Sequence, residues 1–347
     1  MMTDAAMVSL FKAELELCKV GPGQTLAVLS EGETRADYSQ AFLLAAQQLG
    51  ATSFHVNLPP HIQFGGFAGN VGKTSLAGNR PAIEALKGAD IVIDLMFLLF
   101  SEEQIEITNS GTRMLLVQEP LEVLIRMFPN ADLRRRVEFG EQLLKNAKVM
   151  HITSPHGTDV TYHLGQYPVM TEYGYTDTPG HWDHWPSGFM FTGADDEKVD
   201  GTVVLAPGDI ICAFRRYVES PVKLTIENGN VTDIEGDGLE AGLIRDYMAS
   251  FNDERAYAIS HIGWGLNDRA NWHHMAVADP QEEIGMDALA YYGNVLFSTG
   301  PNSELGGTND TPCHLDMPLR GCTLTLDGQV IVKDGDIVPA ELRANGG

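Results

Sequence analysis

The run Cys313-His314-Leu315-Asp316 carries the sharpest chemical signal in the chain. On an extended strand, residues i and i+2 point to one face, so the imidazole of His314 and the carboxylate of Asp316 could grip one ion together. Gly306-Gly307 and Pro312 upstream suit a loop that feeds a strand, and the pattern TLTLDGQVIV downstream reads as a hairpin that anchors it. A third ligand has to come from elsewhere in the fold. His261 opens HIGWGLN, where Gly263, Gly265 and Asn267 imply close backbone approach, and it lies 314 − 261 = 53 residues away. Two histidines and one carboxylate form a facial triad, which leaves open positions for substrate and dioxygen on Fe(II); Mn(II) accepts the same donors. The same residues also describe an ordinary strand end with a surface carboxylate, and spacing alone leaves both readings open.

A second dense region is QYPVMTEYGYTDTPGHWDHWPSGF (166–189), with Glu172, Tyr173, Tyr175, His181, Asp183, His184 and two tryptophans. Aromatic rings with a few converging polar groups suit a pocket for a flat polar ring, and a carboxylate and an imidazole there could exchange protons with ring hydroxyls. A well-ordered loop with aromatic anchors explains the same composition. The pair His273-His274 is a weaker candidate, because adjacent side chains diverge on any regular element. FGGFAGNVG (64–72) matches neither glycine-rich phosphate motif and reads as a mobile loop. Neither GxSxG nor HExxH occurs.

The elements that must position these groups fall into two textures. Up to about residue 150, strand patterns at 25–30, 53–58, 91–95 and 113–118 alternate with helical patterns at 7–18, 37–49, 79–90 and between 120 and 147. Strands separated by helices indicate βαβ units on a mostly parallel sheet. Beyond that point short runs alternate apolar and polar residues, Glu227-Asn228-Gly229 and Asp327-Gly328 signal hairpins, and one helix interrupts around 238–251. The expectation is an α/β N-terminal domain at 1–150 and an α+β, antiparallel-rich, metal-binding catalytic domain at 151–347.

With 23 basic and 47 acidic residues the formal charge is −24, which repels nucleic-acid backbones and anionic membranes. The four cysteines form no CxxC pair and no disulfide framework. The N-terminus lacks the charge and apolar pattern of a signal peptide, and the longest apolar run, IVIDLMFLLF, carries Asp94 and is too short to span a bilayer. These features point to a soluble, cytoplasmic protein that acts on a small molecule.

The segments TEYGY, WDHWPSGF, SHIGWGL, YGNVLFSTGPN and TPCHLDMPLR, in this order, resemble those of the 2,5-dihydroxypyridine 5,6-dioxygenases of bacterial nicotinate degradation. The resemblance runs through most of the chain and is densest from 166 to 320. A broader pattern, the glycine-rich GLN followed by GG…HxD and a final DGxxxxKDG hairpin, resembles the thermophilic leucyl aminopeptidases. The resemblance implies a leucyl aminopeptidase-like fold, a homo-oligomer, and a mononuclear Fe(II) held by His261, His314 and Asp316. It implies that dioxygen opens the pyridine ring between carbons 5 and 6 to give N-formylmaleamate. Glu172 and His184 are then the catalytic proton-transfer groups. Ser298, Tyr173, Leu99 and Phe100 are the substrate-binding residues. The sequence departs from the family at Phe100, where a histidine is usual, and so carries one proton-transfer group fewer. A metal-dependent aminopeptidase is the alternative. Those enzymes need two adjacent metals, and their histidine in the segment matching GNVLFSTG falls near Leu296, which cannot bind metal.

Overall fold

A computed structural model of the chain describes residues 5–60, 74–99, 101–279 and 284–345. The glycine-rich stretch at 64–72 and Phe100 lie outside the described residues. The rest divides into two compact units. The first holds residues up to 129 together with 173–186; the second holds 130–172 and 187–345.

The first unit is built on five strands in the order Thr52–Leu58, Thr25–Glu31, Ile91–Asp94, Arg113–Val117 and Trp182–Trp185, all parallel. Its central strands are buried residue after residue, as in Leu26–Ser30 and Ile91–Asp94. This is why they read as unbroken apolar runs rather than as alternation. The helices Ala36–Gln48 and Arg80–Lys87 fall close to the patterns expected at 37–49 and 79–90, and Glu102–Asn109 is a further crossover helix that the sequence pattern did not announce. Two have side-chain caps, Asn79 accepting from the Ala82 N–H and Ser101 from the Gln104 N–H. On the helix Ala5–Leu17, Phe11 stacks on Phe42 at 4.1 Å and meets Trp185 edge-on at 5.7 Å.

The second unit holds an eight-stranded antiparallel sheet and a five-stranded antiparallel sheet, with helices Ala131–Asn146 and Leu239–Ser250. The hairpin signals resolve into tight turns. Glu227 pairs with Asn230 around Asn228 and Gly229, and Leu326 pairs with Gln329 around Asp327 and Gly328. All four turn residues have positive φ, the requirement of the hairpin turn that matches strand twist.

The expected boundary at residue 150 differs from this division in two places. Helix Ala131–Asn146, expected in the N-terminal domain, belongs to the second unit. Its buried face packs on the strands Val169–Glu172 and Phe189–Gly193, where Gly140 leaves room for Met190 and Trp264. Residues 173–186, expected in the C-terminal domain as a pocket-forming loop, instead return to the first unit and supply its fifth parallel strand. The Asp183 carboxylate ties this excursion down, accepting from the backbone N–H groups of Tyr173, Gly174 and His184. No helix among the described residues is long and apolar enough to cross a membrane.

Candidate metal centre

The five-stranded sheet of the second unit runs in the order Leu315–Asp316, Leu296–Thr299, Ile259–Gly265, Phe189–Gly193 and Val169–Glu172. His261 stands on the buried central strand, beside a register shift between Ile259 and Ile262. Such an irregularity re-aims a side chain relative to a regular ladder. Asp316 pairs with Ser298 across the neighbouring strand, and His314 precedes it by two residues. The glycines expected to allow close approach do so. A Cβ on Gly263 would lie 2.0 Å from the Met190 carbonyl oxygen, and one on Gly265 2.4 Å from that of Tyr291.

This arrangement brings together the three residues expected to share one ion. His314 Nε2 lies 3.0 Å from Asp316 Oδ2, and His261 Nε2 lies 3.4 Å from Asp316 Oδ1. One donor atom from each residue falls within 4.8 Å of the others. Adjacent ligands about 2.1 Å from a metal ion sit roughly 3 Å apart, so these donors fit one ion with little movement. Two imidazole nitrogens and one carboxylate suit Fe(II) or Mn(II) and leave coordination positions open.

The electrostatics favour the same use. Burial pulls the pKa of His261 down to about 4, with Asp316 opposing and His314 adding to the fall, so the imidazole is neutral and able to bind metal. Burial also lowers that of His314, but the charge and hydrogen bond of Asp316 outweigh it and the net shift is upward. For Asp316 burial acts upward, yet the two histidines, His314 foremost, carry it below its ordinary value. The site therefore holds a carboxylate with a protonatable imidazole against it, and a cation entering there replaces a proton.

The other expected residues are placed as follows. Ser298 is fully buried, and its hydroxyl donates to the His261 carbonyl and accepts from the His261 N–H, both at 2.9 Å. Its hydroxyl thus holds the main chain of a candidate ligand. Glu172 is buried at the end of its strand, and its Oε2 accepts from Ser187 Oγ at 3.2 Å. Strand register sets Glu172 level with Gly265, four residues along from His261. In the first unit His184 is buried, and burial takes its pKa down to about 3. Tyr173 is buried between Tyr175, edge-on at 5.1 Å, and His181, stacked at 5.4 Å. Leu99 is half-buried. Sequence reasoning passed over Glu304, whose two carboxylate oxygens are shut off from solvent, and Gly300, whose Cα faces the backbone beside His314. The available signal was the glycine at 300 and a glutamate directly before Gly306-Gly307.

A two-imidazole, one-carboxylate site on an antiparallel sheet, in a chain whose other unit is a parallel α/β sheet, defines a candidate mononuclear metal protein. Its fold is that of the aminopeptidase AmpT: wild-type AmpT from Thermus thermophilus superposes with a TM-score of 0.56 at 14% identity, over 96% of this chain and 99% of that one. The chain belongs to the 2,5-dihydroxypyridine 5,6-dioxygenase family, whose sequence pattern matches residues 6–339. It is 48% identical to the 2,5-dihydroxypyridine 5,6-dioxygenase of Pseudomonas putida KT2440 over 99% of each chain. The solved structure of 2,5-dihydroxypyridine dioxygenase from that organism matches with a TM-score of 0.95 at 47% identity, over 99% of this chain and 100% of that one.

Proposed function

We propose that this chain opens the ring of 2,5-dihydroxypyridine between carbons 5 and 6 and places both atoms of dioxygen in the product, N-formylmaleamate. Substrate and dioxygen together contain the atoms of that product, so no further reductant enters. The observation that carries the reading is the convergence of His261, His314 and Asp316 on one point in a chain of this family. These three residues would hold Fe(II), which when bound supplies the electronic coupling between ring and dioxygen that a spin-paired organic ring lacks.

The two hydroxyls of the substrate are para to each other and cannot both bind one ion, so the chain's own side chains must orient the ring. Glu172, steadied by Ser187, would take the proton of a ring hydroxyl and enrich the ring in electron density. His184, neutral at ordinary pH because of its burial, would hold the other hydroxyl by a hydrogen bond. Tyr173 and Leu99 would pack on the ring and exclude water. Ser298 acts one step back, fixing the backbone of His261. The reading places the enzyme in nicotinate catabolism, as a cytoplasmic homo-oligomer.

The test is anaerobic reconstitution with Fe(II), addition of 2,5-dihydroxypyridine and then air, with oxygen uptake and ring absorbance followed together. One oxygen consumed per ring lost is expected. Iron bound without uptake would move the substrate to another ring, and cleavage of a leucine amide with two metals bound would establish the aminopeptidase instead.

A further inference from the structure

Glu304 lies in the short turn Ser303–Leu305, directly after the strand that carries Ser298. The residue is part-buried, but both carboxylate oxygens are closed off from solvent, and neither meets a hydrogen-bond partner elsewhere in the described residues. An uncompensated buried carboxylate is strongly destabilising. Such a group needs a reason, and its surroundings supply one.

The turn is lashed to both strands that carry the candidate ligands. Ser260 Oγ, next to His261, donates to the Pro301 carbonyl. The Gly300 N–H donates to Ala258 O at 2.8 Å, and a Cβ on Gly300 would lie 3.1 Å from His314 Cα. Leu305 Cδ1 stands 3.1 Å from the Cβ position of Gly193, which pairs with His261. Asn302 and Asn309 close the loop through the Asn302 N–H to Asn309 O and the Asn309 amide to Gly300 O, at 3.0 and 2.7 Å. The turn that carries Glu304 is thus tied to the segments that carry the candidate ligands, and the charges that act on the Glu304 carboxylate are those of His314 and Asp316. It does not belong to the set of donors that lie within 4.8 Å of one another.

We propose that Glu304 is an outer carboxylate of the metal centre, placed to balance the charge of a divalent cation bound by His261, His314 and Asp316. A dication held by two neutral imidazoles and one carboxylate keeps one uncompensated positive charge. In a closed, low-dielectric site a second carboxylate outside the ligand set neutralises it and raises affinity. Without the cation, burial pushes the pKa of Glu304 up to about 7, with its own backbone N–H and His314 opposing. Cation binding therefore draws a proton from this residue.

The inference rests on the proposed metal site but not on the proposed substrate, and the experiment keeps them apart. Affinity for Mn(II) and, anaerobically, Fe(II) is measured on the full chain by titration calorimetry in two buffers of different ionisation enthalpy, for the wild type, Glu304→Gln and Glu304→Asp. Glutamine matches the shape of the protonated acid, so the fold is expected to stay intact by circular dichroism. Expected is a roughly 10–100-fold weaker affinity for Glu304→Gln, fewer protons released per metal near pH 7, and partial rescue by Glu304→Asp. Equal affinity and equal proton release in wild type and Glu304→Gln overturn the proposal. Tight metal binding by the wild type with no cleavage of dihydroxypyridine overturns the substrate reading and leaves Glu304 in place; no metal binding by the wild type overturns both.

Discussion

Replacing Gly300 by alanine puts a methyl group where the chain has no room for one. The new Cβ would lie 2.0 Å from the Cys313 carbonyl oxygen and 3.1 Å from His314 Cα. Non-bonded heavy atoms settle at about 3.5–4.0 Å, so the two backbone segments must part by roughly 1 Å or more. Gly300 also has φ +113°, a conformation that adds about 1–3 kcal/mol of strain for any other residue. The displacement falls on the peptide that leads into His314, and metal sites tolerate errors of only about 0.2 Å in ligand position. A misplacement near 1 Å lowers function by on the order of 100-fold. Gly306 provides the control, since it has φ +87° but open space around its Cβ position. Gly306→Ala should show the backbone strain alone. The assay is metal content after gel filtration, with a chelator competition for affinity and circular dichroism for fold. Gly300→Ala is expected to fold and lose metal, and Gly306→Ala to fold and keep it. Wild-type metal affinity in Gly300→Ala would refute the argument that this close approach positions His314.

The substitutions His261→Ala, His314→Ala and Asp316→Ala should each abolish metal retention without unfolding the chain; full occupancy in any one removes that residue from the ligand set. Glu172→Gln should leave metal binding unchanged and reduce turnover by about 100-fold or more, the size of a general-base contribution; unaltered turnover would exclude proton transfer by Glu172. His184 gives a pH signature in the metal-free protein. Its folded pKa of about 3 lies below the value of the unfolded chain, so between pH 6.5 and 3 the unfolded state alone takes up the proton. The stability it confers is therefore complete above pH 6.5 and falls on acidification by about 1.4 kcal/mol per pH unit. Urea unfolding of wild type and His184→Gln should show a stability difference that is flat above pH 6.5 and shrinks by about 3 kcal/mol by pH 4; a difference independent of pH would show that the imidazole is not buried in its neutral form.

Much of the architecture follows from local pattern. The strands at 25–31, 91–94 and 113–117 stand out because both their faces are buried, while the edge strand at 52–58 is largely exposed or half-buried and shows through its β-branched and aromatic residues. Asn228-Gly229 and Asp327-Gly328 announce their turns because few residues accept positive φ. The pairing of His314 with Asp316 is legible for the same reason, since two residues two apart on extended chain share a face whatever surrounds them.

Other features depend on partners distant in sequence. Trp182–Trp185 carries no strand signal stronger than its aromatic content, and it becomes a strand because Arg113–Val117 offers a parallel edge and Asp183 caps the returning loop. Helix Ala131–Asn146 is plain in the sequence, but its unit is set by which sheet its apolar face covers. His261 meets His314 and Asp316 only through the ladder of the strands between them. The Ser298 hydroxyl meets the His261 backbone across 37 residues of chain, and a glutamate with no motif around it, Glu304, has both carboxylate oxygens closed off from solvent. Periodicity and turn chemistry act over a few residues and are written in the chain. Burial, field and ligand geometry arise between segments tens of residues apart, and they exist only once the strands have paired.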